Sequence, residues 1–267
     1  MKEHLRQRQI GILCLVMALA LLPVLAAEAP TTAKSPAPAL NLPALDEAGR
    51  LEMILARFDQ AQASIRTLEA DFDELKELAL LADPVEGRGR FYFAAPYQVK
   101  WEYLEPEARV VLISDNSILQ YFPADKVLEH HDVRDANMNR LFKVFGMGQS
   151  SRDLKDFYVI SLGDGGGAAA ESGRFGPPAS SYQLILTPHR RAVEKRVARV
   201  RLWVGDQDFL PRAIKIEEAD GDFTYWVFSN VRVNSELAAG VFELDVPADV
   251  TIHEEVSLFG SSTGSAP

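Results

Sequence analysis

Apolar residues change their spacing along the chain, and the changes divide it into elements. Leu51, Ile54, Leu55, Phe58, Ala61 and Ile65 recur at three- and four-residue intervals, which predicts an amphipathic helix that Asp46 can cap. From Leu68 the period becomes two. Leu68, Ala70 and Phe72 alternate with Glu69, Asp71 and Asp73, so a strand follows the helix. Asp83-Pro84 offers a turn. The stretch GRGRFYFAAPYQVKWEY (87–103) then reads as two strands joined through Ala-Ala-Pro. Phe91 and Phe93 fall on one face of the first and Tyr92 on the other. In the second, Val99, Trp101 and Tyr103 oppose Lys100 and Glu102.

Further strand patterns follow at short intervals: ARVVLIS, SILQYF and KVLEHHDV, then DFYVISL, SYQLILTP, VARVRLWVG, LPRAIKIEEAD and DFTYWVFSNVRV. A Ser-Asp-Asn turn at 114–116 separates the first two. Without crossover helices between them, such strands pair antiparallel. One helical segment interrupts the series: Met138, Leu141, Phe142 and Phe145 form a stripe between a capping Asn137 and Gly146. Several strands are apolar on both faces. Phe223, Tyr225, Val227 and Val231 oppose Trp226 and Phe228, so both faces of the sheet should be covered. The loop 163–180, with six glycines, is long for a hairpin connection and is expected to be flexible.

The ends follow other rules. Residues 1–27 combine basic residues, an apolar run from Ile10 and small residues at Ala26 and Ala27, the pattern of a secretory signal peptide. Residues 28–45 hold four prolines and read as an extended linker, and 257–267 as a disordered tail. This leaves 46–256 as one domain. The single cysteine, Cys14, lies in the leader, so the exported chain has neither a disulfide nor a thiolate. Loss of residues 1–26 removes three basic residues and one acidic one, taking the net charge from −10 to −12. Such a chain has no electrostatic reason to bind nucleic acid or anionic headgroups.

Chemical motifs fail on inspection. Gly163-x-Gly165-x-x-Ala168 lacks the following helix that a dinucleotide fingerprint needs. Gly260-Ser-Ser-Thr-Gly264 has only Ser-Ala-Pro after it, too little for a nucleophile elbow. His130 and His131 are neighbours in a strand and point to opposite faces, so they cannot share a metal. No catalytic residue, cofactor or metal is assigned.

The order of TLEADF (67–72), GRFYFAAPYQVKWEY (89–103), LISDNSILQYFP (112–123), LILTP (184–188), DGDFTYWVFSNV (220–231) and FELDVPADV (242–250) resembles the LolA family, periplasmic lipoprotein carriers. The resemblance implies a mainly β fold with α: a curved, incompletely closed antiparallel half-barrel whose concave face is lidded by helices. It implies a non-enzymatic, monomeric periplasmic carrier that shields acyl chains and ferries lipoproteins from inner to outer membrane. Its partners would be acylated lipoproteins, an inner-membrane lipoprotein-releasing transporter and an outer-membrane acceptor. The alternative is a carrier or sensor of another amphiphile on the same fold. Expected cavity residues are Phe91, Phe93, Val99, Trp101, Tyr103, Leu112 and Tyr121. Expected lid residues are Leu51, Ile54, Leu55, Phe58, Met138, Leu141, Phe142 and Phe145. One departure stands out: family members carry a basic residue before the Pro of this hairpin, where it bonds lid carbonyls. Here that position is Ala95, and the family's Phe is Val99.

Overall fold

The computed structural model describes residues 46–79, 81–95, 98–114, 117–132, 150–163 and 174–254. Helix α1 (Glu47–Ser64) precedes strands β1 (Thr67–Glu77), β2 (Val85–Ala94), β3 (Gln98–Glu105), β4 (Arg109–Ile113), β5 (Ser117–Phe122) and β6 (Val127–Asp132). A one-turn helix, α2 (Ser151–Leu154), leads into β7 (Tyr158–Leu162) and β8 (Ser181–Pro188). Another, α3 (Arg191–Glu194), leads into β9 (Val197–Gly205), β10 (Pro211–Glu218), β11 (Phe223–Val233) and β12 (Thr251–Glu254).

All twelve strands form one sheet in the order β12-β6-β5-β4-β3-β2-β1-β11-β10-β9-β8-β7. Its two ends do not meet, so the sheet is incompletely closed. The pairs are antiparallel except at one edge, where β12 runs parallel to β6. That edge is reached by the long connection after β11, which is free to deliver the strand in either direction.

Strong bending follows from side chains that meet across several strands. Trp101 on β3 and Trp226 on β11 are separated by β2 and β1. In a flat sheet their backbones would stand about 14 Å apart, three strand spacings. Their ring centroids lie 6.0 Å apart. Phe91 and Phe228 approach similarly, at 6.2 Å. The two halves of the sheet therefore fold towards each other over a concave face.

Helix α1 covers that face. Asp46 caps it as expected, its carboxylate accepting the Gly49 N–H at 2.8 Å. Ile54, Leu55 and Phe58 are buried in the same core as Trp101, Trp226 and Phe91, with Leu51 packed at its edge. Gln62 is buried on the same stripe, while Glu52, Gln60 and Ser64 on the other side are exposed, as an amphipathic cover requires. Asp59 fastens its flank to α2, accepting from Ser151 N–H and Oγ–H, each at 2.7 Å.

The convex face has its own smaller core. Trp203, Ala213 and Tyr225 pack with Leu75, Phe175, Phe223 and Val227. Phe175 belongs to the glycine-rich loop, expected to be flexible as a whole. Its last part, 174–180, is instead held against the sheet. Arg174 pairs with Asp73, and Tyr225 Oη–H donates to the Gly176 carbonyl at 3.2 Å. Both faces of β11 are thus covered, as its two-sided apolar pattern requires.

Val231 departs from that pattern. Between Glu69 and Asp71 the β1–β11 register slips by one residue, and Asn230 sits at φ 51°. The extra residue is a bulge. It turns Val231 onto the concave core, away from Phe223, Tyr225 and Val227.

Candidate lipid-binding face

Cross-strand register shows which residues share the concave side. One row runs Ala70, Phe91, Trp101, Val111, Gln120, Glu129 over β1 to β6. The row beside it runs Leu68, Phe93, Val99, Ile113, Ile118, His131. The expected cavity residues Phe91, Phe93, Val99, Trp101 and Tyr103 are therefore brought together, and all are buried. Trp101 is their centre. It meets Phe72 at 4.9 Å and Phe91 at 4.8 Å edge to face, and stacks over Tyr103 at 6.4 Å. Such pairs add about 0.5–1.5 kcal/mol each beyond burial.

Leu112 and Tyr121 do not join them. Leu112 lies opposite Lys100 and Leu119, and Tyr121 opposite Val110 and Leu128, so both stand on the convex face. Unshifted pairing carries the face of Lys100 and Glu102 on to Leu112 in β4 and Tyr121 in β5, and alternation along each strand then fixes its other side chains. Val111 and Ile118 are the concave residues instead. Met138, Leu141, Phe142 and Phe145, expected in the lid, lie outside the described residues.

Close packing of the aromatics depends on Gly89. A Cβ there would sit 2.1 Å from the Glu102 carbonyl oxygen and 2.7 Å from the Phe72 ring. The glycine lets Phe72 lie over β2, between Tyr103 and Trp101. Above it, buried Glu74 accepts from Tyr103 Oη–H at 3.0 Å and pairs with Lys76 at 3.2 Å. Burial, reinforced by the Glu74 charge, pushes the Tyr103 hydroxyl well above its ordinary pKa. Burial alone does the same to Tyr158.

The joint between lid and sheet was not anticipated from sequence. Asn234, just past β11, donates from Nδ2 to the Ser64 carbonyl at the end of α1, at 2.9 Å. Its Oδ1 accepts the Arg66 N–H at 2.7 Å. Its own N–H donates to the Thr67 carbonyl at 2.8 Å. Ala95 makes one backbone bond here, N–H to the Arg66 carbonyl at 2.8 Å. A carbonyl at the end of α1, that of Ser64, is thus held by Asn234 and not by a side chain of this hairpin. Its signal in sequence was slight: an Asn after a strand, at a position where φ is 56°.

An open hollow of about 340 Å³ lies at the β1–β11 bulge, lined by Glu69, Asp71, Asn230 and Arg232 among others. Its charges are satisfied within the chain: Arg232 pairs with Glu69 at 2.7 Å, and Asn230 Nδ2–H donates to Asp71 at 2.7 Å. It offers little to an apolar chain. Among the described residues no group of three His, Cys, Asp or Glu side chains could hold a metal. Among the same residues no helix is long and apolar enough to cross a membrane.

Residues 63–170, which include β1 to β7, match the model of the outer membrane lipoprotein carrier protein LolA. That match spans less than half of the chain, and over those residues the chain is similar to the LolA family. No curated protein matches the sequence. Among solved structures, an uncharacterized conserved protein from Thermus thermophilus is 13% identical, with a TM-score of 0.47 over 77% of this chain and 99% of that one. A LolA superfamily protein from Nitrosomonas europaea is 14% identical, with a TM-score of 0.35 over 72% and 96%. The lipoprotein LppX of Mycobacterium tuberculosis is 10% identical, with a TM-score of 0.38 over 70% and 98%. The concave aromatic face under α1 is the candidate binding face.

Proposed function

We propose that this protein belongs to the LolA family and is an exported periplasmic carrier that shields the acyl chains of lipoproteins between its concave sheet face and α1. One observation carries the reading: among the described residues, a continuous aromatic wall centred on Trp101 is covered by α1, which is buried against it through Ile54, Leu55 and Phe58. A carrier of this kind needs no bond-making chemistry. It needs an apolar surface that cargo and lid can occupy in turn.

The magnitudes allow that exchange. Lifting α1 would return Ile54, Leu55 and Phe58 to water, at about 1.5–3 kcal/mol each, or about 5–9 kcal/mol together. Each methylene of a bound chain recovers about 0.8 kcal/mol, so about six to eleven methylenes match the helix. An acyl anchor exceeds that number, and cargo can displace the lid. The margin stays small because both occupants are apolar and cover the same wall. A small margin is what unloading requires, since a ligand shifts the equilibrium only by its differential affinity for the open and closed states.

Locking the lid tests this. Asp59→Cys with Ser151→Cys, in a Cys14→Ser background, replaces the hydrogen-bonded pair that joins α1 to α2 with a crosslinkable one. Crosslinked protein should take up no fluorescent fatty-acyl probe, and reduction should restore uptake. Equal uptake in both states would refute the lid-exchange mechanism. Native mass spectrometry of the exported protein should show bound lipid or lipoprotein.

A further inference from the structure

The concave wall is not apolar throughout. Both rows that cross it begin with apolar side chains on β1 to β4 and end in polar ones: Gln120 and Glu129 on β5 and β6 in one, and His131 on β6, after Ile118 on β5, in the other. These three are buried, with 1%, 7% and 3% exposure. Gln120 is the telling residue. Its carboxamide is sealed from solvent, yet neither Nε2 nor Oε1 has a hydrogen-bond partner among the described residues. Two strands away in the same row, the Trp101 indole N–H is also buried without an acceptor among them. On α1, Gln62 continues the buried stripe of Ile54 and Phe58, and its carboxamide is likewise unpartnered there.

Folded proteins pair nearly all buried polar atoms, and leaving a group unpaired costs about 1–3 kcal/mol. Aliphatic side chains at 62 and 120 would avoid that cost if the face they line met hydrocarbon alone. Resting on the carrier reading above, the geometry points to a cargo that brings its own hydrogen-bonding group into the trough. This is an amphiphile whose chain is joined through a secondary amide, lying with the chain over β1 to β3 and the amide at Gln120. A carboxamide both donates and accepts. A secondary amide answers both atoms with its own N–H and C=O, whereas an ester can only accept.

The test compares N-methyldodecanamide with methyl dodecanoate, which carry the same acyl chain, by titration against the protein's tryptophan fluorescence. The amide should bind about tenfold more tightly, the worth of one net hydrogen bond in a dry site. Gln120→Met, which keeps the shape and removes the polar atoms, should bring the ratio close to one. The same variant should unfold at an unchanged or higher temperature, because it deletes an unsatisfied group. Equal binding of both probes by the wild type would overturn the amide assignment and leave the carrier reading intact. A ratio that survives Gln120→Met, or a fall in its unfolding temperature, would show that Gln120 is a structural residue and would also overturn the assignment. Failure of both probes to bind would refute the carrier reading, and the amide site with it.

Discussion

Replacing Asn234 should loosen the lid at its hinge without disturbing the wall beneath it. The side chain spans the joint, donating to Ser64 at 2.9 Å and accepting from Arg66 at 2.7 Å. Each bond contributes about 0.5–1.5 kcal/mol net, and exposure of this site places both towards the lower end. The backbone adds a second effect. Asn234 holds φ 56°, where a side chain with a Cβ is strained and glycine is not. Asn234→Gly therefore removes only the hydrogen bonds and should cost about 1–2 kcal/mol. For a domain of this size that lowers the unfolding temperature by about 2–8 °C. Asn234→Ala adds the left-handed penalty, about 1 kcal/mol more. Asn234→Asp keeps the acceptor for Arg66 but faces the Ser64 carbonyl with a charge, so it should fall below Asn234→Gly. The decisive assay is hydrogen exchange. Amides in the last two turns of α1 should exchange faster in all three variants, while those of β2 and β3 stay protected relative to the global stability of each variant. Uptake of an apolar dye should accelerate in step. If exchange in α1 were unchanged in Asn234→Gly, the residue would not be the hinge clamp, whatever its effect on stability.

Two further outcomes follow from the wall. Gly89→Ala forces a Cβ against the Glu102 carbonyl and the Phe72 ring, so it should cost about 3 kcal/mol or more by denaturant titration; a loss below about 1 kcal/mol would show that the hairpin yields easily. Stability should fall in alkali. Tyr103 and Tyr158 have raised pKa values in the folded state, so above the ordinary tyrosine value of 10.0 the unfolded chain loses protons that the folded chain keeps. Each contributes a loss of about 1.4 kcal/mol per pH unit in that range and none below it. Tyr103→Phe should flatten the slope by one proton; an unaltered slope would place the effect elsewhere.

Local pattern was enough for most elements. The three- and four-residue spacing around Ile54 and Phe58 and the strict alternation from Leu68 through Tyr103 assign helix, strands and faces without tertiary information. Alternation is a property of the pleated backbone, so a face read from sequence stays correct for as long as register is unbroken. The bulge at Asn230 breaks it and moves Val231 to the concave side. Beyond Tyr103 the register is unbroken, and the pairing of β3, β4 and β5 carries Val111 and Ile118 to that side rather than Leu112 and Tyr121. Leu, Val, Ile and Tyr suit either face of a sheet covered on both sides, so hydrophobicity could not choose between them.

The candidate site divides in the same way. That large aromatics gather in one hairpin is written in the chain, because their spacing alone puts Phe91, Phe93, Val99 and Trp101 on common faces. That these aromatics meet Trp226 and Phe228, more than 120 residues later, required the sheet to bend, and bending arises from twist and packing summed over many strands. The clamp at Asn234 and the polar end of the trough at Gln120 are likewise products of tertiary structure. A single Asn or Gln has no periodicity to betray it. Its role exists only once distant backbone has arrived within hydrogen-bonding reach, or, for Gln120, once burial has removed water and left its carboxamide without a partner.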